Sequence, residues 1–152
     1  MKWKWTPRTL KAALRLFPPY VGAGIKVTHI DSNWRALDVC MTLRWYNKNA
    51  VGTHFGGNLY SMVDPHMMLL LMHSLGAGYI VWDKAAEIDF KRPGRGRVHC
   101  SMQLTDEVLA EIRAKTANGN AYLPVFYLTI RDESDQVVAK VKKVLYVRSR
   151  PR

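Results

Sequence analysis

An α+β domain is the fold class this sequence predicts, and three patterns predict it. The stretch Asn47 to Leu75 ends in a segment that is apolar on nearly every side, which asks for burial all round. Leu37, Val39, Met41, Leu43 and Trp45 alternate with Asp38, Cys40, Thr42 and Arg44, the signature of a half-buried antiparallel strand. The element order is a helix, two strands, a long apolar helix, then about four strands with one short helix among them. One long helix against a mostly antiparallel sheet is an α+β arrangement. No repeat or linker interrupts it, so residues 1–152 form one domain, with 1–19 as an N-terminal helical extension.

The extension opens at Thr6-Pro7, an N-cap followed by a proline at the first helical position. Leu10, Ala13, Leu14 and Phe17 recur at helical spacing, Arg8, Lys11 and Arg15 occupy the other face, and Pro18-Pro19 stops the helix. With Trp3 and Trp5 ahead of it, such a helix suits a membrane surface; packing on its own domain is the expected state. Val21 to Ile30 reads as a first strand loosened by Gly22 and Gly24, followed by a turn at Asp31-Ser32-Asn33. Gly76 and Gly78 end the central helix. In the next strand Ala86, Ile88 and Phe90 share one face and Glu87 and Asp89 the other; Val98, Cys100, Met102 and Leu104 then alternate with polar residues. Thr105 or Asp106 caps a short helix reaching Lys115. Two final strands, about 122–131 and 137–147, flank a polar turn as in a hairpin. Lys142-Lys143 break the alternation of the last one, which predicts a bulge there.

Composition narrows the function classes. Hydrophobic residues make up 48% and charged residues 23%, the balance of a soluble globular chain. The apolar run around Met67 to Leu71 carries Asp64, His66 and His73 and is too short for a membrane span. MKWKWTPRTLK has no apolar secretory core, so a cytoplasmic location is expected. Cys40 and Cys100 sit in separate strands and read as reduced core cysteines, with no metal site expected. The net charge of +11 favours an anionic partner: nucleic acid, a membrane surface or a phosphorylated small molecule.

The chemistry gathers between Asn47 and Asp64. A polar loop with Asn47, Asn49 and His54 leads through Phe55 into Gly56-Gly57, and Asp64 follows seven positions after Gly57. Glycines at a helix start let a ligand approach backbone N–H groups, where the dipole favours negative charge. A carboxylate in an apolar helix is costly without a partner or a task. Asp64 is thus a candidate general base or nucleophile, with a structural or capping carboxylate as the plain alternative. Gly57, beside Gly56 or Asn58, is the candidate oxyanion donor. Asn49 holds a water or its own loop, and His54 is a candidate carbonyl polariser. His66 and His73 read as core or interface histidines. Pro65 either kinks the helix or starts a second helix capped by Asp64.

These residues resemble the hotdog-fold thioesterases, over nearly the whole chain after the N-terminal helix. The closest branch holds phenylacetate-pathway and other acyl-CoA thioesterases, with Asn, then His-Gly-Gly, then Asp seven residues past the second glycine. Gly56-Gly57 and Asp64 match that spacing and Asn49 falls at the Asn. Ala85 to Gly96 resembles the family's strand ending in an aromatic, a basic residue and Pro, and GTHFGGNLYSMVDP is similar to an uncharacterised branch. Phe55 departs from the pattern, standing where the family has His, with His54 one residue early. The resemblance implies an antiparallel sheet wrapped around one long central helix, a homodimer or dimer of dimers, and hydrolysis of acyl-CoA or acyl-carrier thioesters. Coenzyme A enters as part of the substrate, with no other cofactor. The basic turn Lys91, Arg92, Arg95 and Arg97 reads as a clamp for its phosphates or as a solvated loop. Two rivals stand beside the enzyme: a non-catalytic acyl-ligand module, which Phe55 motivates, and a basic nucleic-acid or membrane-surface binder. Nucleic acid is not the expected partner, because no aromatic-and-basic recognition motif is present.

Overall fold

The computed structural model describes residues 5–150; Trp3 of the amphipathic reading lies outside the described residues. Helix α1 (Pro7–Leu16) begins in a reciprocal capping box, in which the Thr6 hydroxyl accepts from Thr9 N and the Thr9 hydroxyl accepts from Thr6 N. Leu10 is buried and Leu14 packs on the core, so the helix lies on its own domain. The next element differs from the sequence reading. Pro18-Pro19 do not merely stop α1; they occupy the first turn of a second helix, α2 (Pro18–Ala23), where their missing N–H groups cost nothing. Gly24, at φ 73°, ends α2, and strand β1 (Ile25–Ile30) starts only there.

Strand β2 (Ala36–Thr42) buries Leu37, Val39 and Met41 as the alternation predicts, but stops before Trp45, which is 83% exposed. The Asn47 side chain turns the chain there, accepting from Arg44 N at 2.6 Å and donating to Thr42 O and Ala23 O. The central helix is two pieces, α3 (Gly56–Ser61) and α4 (His66–Leu75). Met62 N and Asp64 N still donate to Asn58 O and Tyr60 O, but Pro65 cannot donate to the preceding turn, so the helix breaks there. Asp64 does not cap α4; its carboxylate goes elsewhere, as described below.

Strands β3 (Tyr79–Phe90), β4 (Arg97–Gln103), β5 (Val125–Asp132) and β6 (Val137–Ser149) complete one antiparallel sheet in the order β1-β2-β4-β5-β6-β3. Helix α5 (Asp106–Thr116) is capped by Thr105. Helix α4 packs against both β2 and β3, which stand on opposite halves of the sheet, so the sheet curls around it. Its inner face carries Leu37, Met41, Val98, Met102, Ile130 and Leu145 onto Met67, Leu70 and Leu71, all buried. Both cysteines are free and buried, and burial pushes the Cys100 thiol up to about 12.

The expected bulge at Lys142-Lys143 is absent. Beyond an irregularity at Val138, β6 runs straight, with Ala139, Val141, Lys143, Leu145 and Val147 all facing inward. In place of that bulge, an irregularity sits on the neighbouring strand, between Asp83 and Ala85 of β3. Lys143 therefore points into the core, with none of its surface exposed.

Candidate active site

Two groups of residues flank α3. At its start, Phe55 O accepts the first helical bonds, from Asn58 N and Leu59 N, so the amides of Gly56 and Gly57 precede the ladder. Aromatic rings pack where side chains would otherwise stand. A Cβ on Gly56 would lie 3.0 Å from the Phe90 ring, and one on Gly57 would lie 2.6 Å from the Phe55 ring. A cleft of about 380 Å³ opens beside this turn, lined by Asn49, His54, Gly56, Phe90, Lys91 and Arg92 among others.

The loop residues are tied to the scaffold. The Asn49 side chain accepts from Val51 N and Thr53 N and donates to Thr53 Oγ1 and His54 O, so it organises its own loop. His54 is buried, and its Nε2 donates to Gly96 O at 2.9 Å. That bond and His54 N to Gly94 O fasten the loop to the basic turn. Burial lowers the His54 pKa, and the Gly96 bond offsets this only in part. Phe55 is 53% exposed, and Asn58 makes a long contact of 3.5 Å to Asn47 O.

The basic turn divides. Lys91, ion-paired with Asp89, and Arg92, bonded to Gln136, line the cleft. Arg97 instead borders a hollow of about 360 Å³ on the outer face of the sheet, with Asp38, His99 and Glu133, and Arg95 is exposed and borders neither. Among the described residues no three His, Cys, Asp or Glu side chains gather as a metal site would require.

The second group surrounds Asp64. Its Oδ1 accepts from Tyr60 OH at 2.6 Å and from Lys143 Nζ at 2.6 Å. Lys143 Nζ also donates to the Tyr60 oxygen at 2.9 Å, and an ion pair at 2.9 Å links it to Asp83 Oδ1. One sealed ammonium thus sits beneath two carboxylates whose side chains are 43% and 29% exposed. Burial works against every charge here, and the partners decide the outcome. For Lys143 burial is outweighed by its bond to Asp64, its ion pair with Asp83 and its bond to Tyr60, which raise its pKa above the ordinary lysine range. For Asp64 burial is outweighed by Lys143 and Tyr60, which lower its pKa. Asp83 has Lys143 alone, so burial prevails and its pKa rises, with the Asp64 charge adding to the effect. His66, under the same carboxylate, is fully buried; its Nε2 meets Tyr20 OH at 3.0 Å, and burial lowers its pKa to about 3.

Asp64 is not among the residues lining the cleft beside Gly56. Within one chain, then, that cleft holds the Gly56 turn without the carboxylate. Tyr60, Asp83 and Lys143 were missed in the sequence. The signal for Lys143 was present: strict period-2 counting from Val141 to Leu145 places it inward.

A curled antiparallel sheet around a central helix is the hotdog arrangement. A solved structure from Pseudomonas aeruginosa, PA5026, described as a protein of unknown function and probable thioesterase, superposes with a TM-score of 0.83 at 18% identity, covering 95% of this chain and 97% of that one. Thioesterase HI1161 from Haemophilus influenzae gives 0.69 at 16%, covering 97% and 94%. The PaaI protein of the E. coli phenylacetic acid degradation operon gives 0.61 at 17%, covering 95% and 92%. No curated protein matches the sequence. The chain belongs to the family described as a domain of unknown function, DUF4442, whose model matches residues 6–147.

Proposed function

We propose that the protein hydrolyses acyl thioesters of coenzyme A or of an acyl carrier, as a homodimer or a dimer of dimers with its site between subunits. The observation that carries this reading is Asp64, held ionised by Lys143 and Tyr60 yet 43% exposed, seven residues after a glycine pair whose amides precede the helical ladder. Asp64 acts on water as a base or attacks the carbonyl itself, and the Gly57 amide, beside Gly56 or Asn58, receives the oxyanion. Such a donor contributes about 3 kcal/mol to the barrier.

Seven helical residues span ~10 Å, so Asp64 and Gly57 of one chain stand too far apart to serve one carbonyl. A second copy related by a two-fold axis brings its acid to the first copy's amides. Strand β3 supports that assembly. It is a free sheet edge, and its inward-facing Ala86 and Phe90 are exposed. Lys91 and Arg92 in the cleft suit the phosphates of coenzyme A. The test is thiol release from a panel of acyl-CoAs, with Asp64→Ala as control. Turnover lost in the variant supports the reading; no turnover, or equal turnover, rejects it.

A binding-only module is the second reading. It is favoured by Phe55 at the family's histidine position and by His54 being bonded to Gly96. Tight acyl-CoA binding without hydrolysis distinguishes it.

A further inference from the structure

We infer that Asp83 is a second catalytic carboxylate, the group that takes and returns the proton of the attacking water while Asp64 remains charged and holds that water in place. This rests on the thioester-hydrolysis reading and, within it, moves the role of base from Asp64 to Asp83. The geometry behind it is one buried ammonium shared unequally by two acids. Lys143 has three protons and no solvent. It donates to Asp64 Oδ1 and to the Tyr60 oxygen, and Tyr60 sends its own proton to that same Asp64 oxygen. Asp64 thus carries two charge-assisted or strong donors on one oxygen. A carboxylate so satisfied is a poor proton acceptor.

Asp83 is the opposite case. Its Oδ1 lies 2.9 Å from the same nitrogen but off the angles of a hydrogen bond, so the ion pair with Lys143 is its one contact there, against two donors on Asp64. Two carboxylates over one ammonium carry a net charge of minus one. A single added proton neutralises the cluster, and it goes to the acid with fewer donors. The charged and titratable groups that act on the pair are Tyr20 of α2, Tyr60 of α3, His66 of α4 and Lys143 of β6. His66 is neutral against Tyr20 and adds no charge. The β3 irregularity after Asp83 puts this residue on the inner face, opposite Leu145, while Trp82 stacks on Tyr146 outside. Both acids keep exposed surface, so a water can reach the pair.

The step balances. Asp83 accepts a proton from water as the water oxygen bonds to the thioester carbon and the carbonyl electron pair moves to oxygen. On collapse the C–S bond breaks with its electrons on sulfur, and Asp83 returns the proton to the thiolate. Acid and thiol leave, and both carboxylates end as they began.

The experiment uses full-length protein labelled with 13C-carboxyl aspartate, together with the acyl-CoA that the wild type turns over fastest. Asp83→Asn is expected to remove one aspartate resonance titrating above the ordinary carboxylate range. It is also expected to lower kcat by 10²- to 10⁴-fold with little change in KM and to abolish the acidic limb of the pH profile. Asp83→Glu restores that limb. The inference is overturned if Asp83 titrates at or below the ordinary value, or if an active wild type loses less than threefold on Asp83→Asn. It is equally overturned if Asp83→Asn fails to fold and Asp83→Glu, folded, has lost the limb. A wild type inactive on every acyl-CoA overturns the hydrolysis reading and this assignment together. Activity that survives Asp83→Asn but not Asp64→Asn removes only the assignment.

Discussion

Lys143 shows how much one residue can carry. It is fully buried, and two partly exposed acids and a phenol supply all its charge and hydrogen-bond partners. Removing one partner of a buried charge is costly because the other is left uncompensated. Asp64→Ala with Asp83→Ala is therefore expected to lower stability by about 3 kcal/mol, more than a double substitution to Ala at exposed acids elsewhere. Urea unfolding at neutral pH measures it. Lys143→Met is expected to act on Asp64 instead. The lysine is the strongest influence lowering that carboxyl's pKa, so removing it raises the pKa, read by NMR titration. Gly57→Ala pushes the Phe55 ring off its seat, 2.6 Å from the new methyl. An activity loss with unchanged melting temperature is the expected signature, since Phe55 is half exposed and free to move.

At the scale of elements, the break between α3 and α4 matters most. Pro65 ends the ladder, and the turn it creates places Asp64 over β6 and β3 and His66 beneath it. Burial lowers the His66 pKa to about 3, whereas an unfolded histidine titrates near 6.5. Between those values the unfolded chain binds the extra proton, so stability rises with pH and is lost on acidification from 6.5 toward 3. The slope approaches about 1.4 kcal/mol per pH unit for one proton. Asp83, with a raised pKa, acts in the opposite sense just above the ordinary carboxylate value. His66→Gln is expected to flatten the stability curve between pH 6.5 and 4, as followed by urea midpoints; an unchanged slope contradicts the assignment. Most elements were legible in the sequence. The α1 cap, the β2 alternation, the capped α5 and the final hairpin needed only local signals. Helix α2 was not legible, because Pro-Pro reads as a stop when seen from upstream and as a start when seen from downstream.

For the whole molecule, the free β3 edge sets the prediction. Ala86 faces inward but is exposed in the single chain, so a larger charged side chain there costs little to the fold. Ala86→Arg is expected to convert a wild-type dimer to a monomer in sedimentation and to abolish turnover while the melting transition stays cooperative. A wild type that sediments as a monomer contradicts the shared site.

The order of amino acids settled the fold class, the kind and order of most elements, and the Gly56-Gly57 to Asp64 spacing, because periodicity, caps and glycines act over a few residues. Tertiary structure decided what Asp64 is bonded to. Its partners are Tyr60, one turn earlier on α3, and Lys143 of β6, 79 positions further along, an ammonium that Asp83 of β3 shares. Nothing local distinguishes a lysine that faces solvent from one whose strand turns it inward. Only the pairing of β6 between β5 and β3, beneath the break at Pro65, brings that ammonium under two acids.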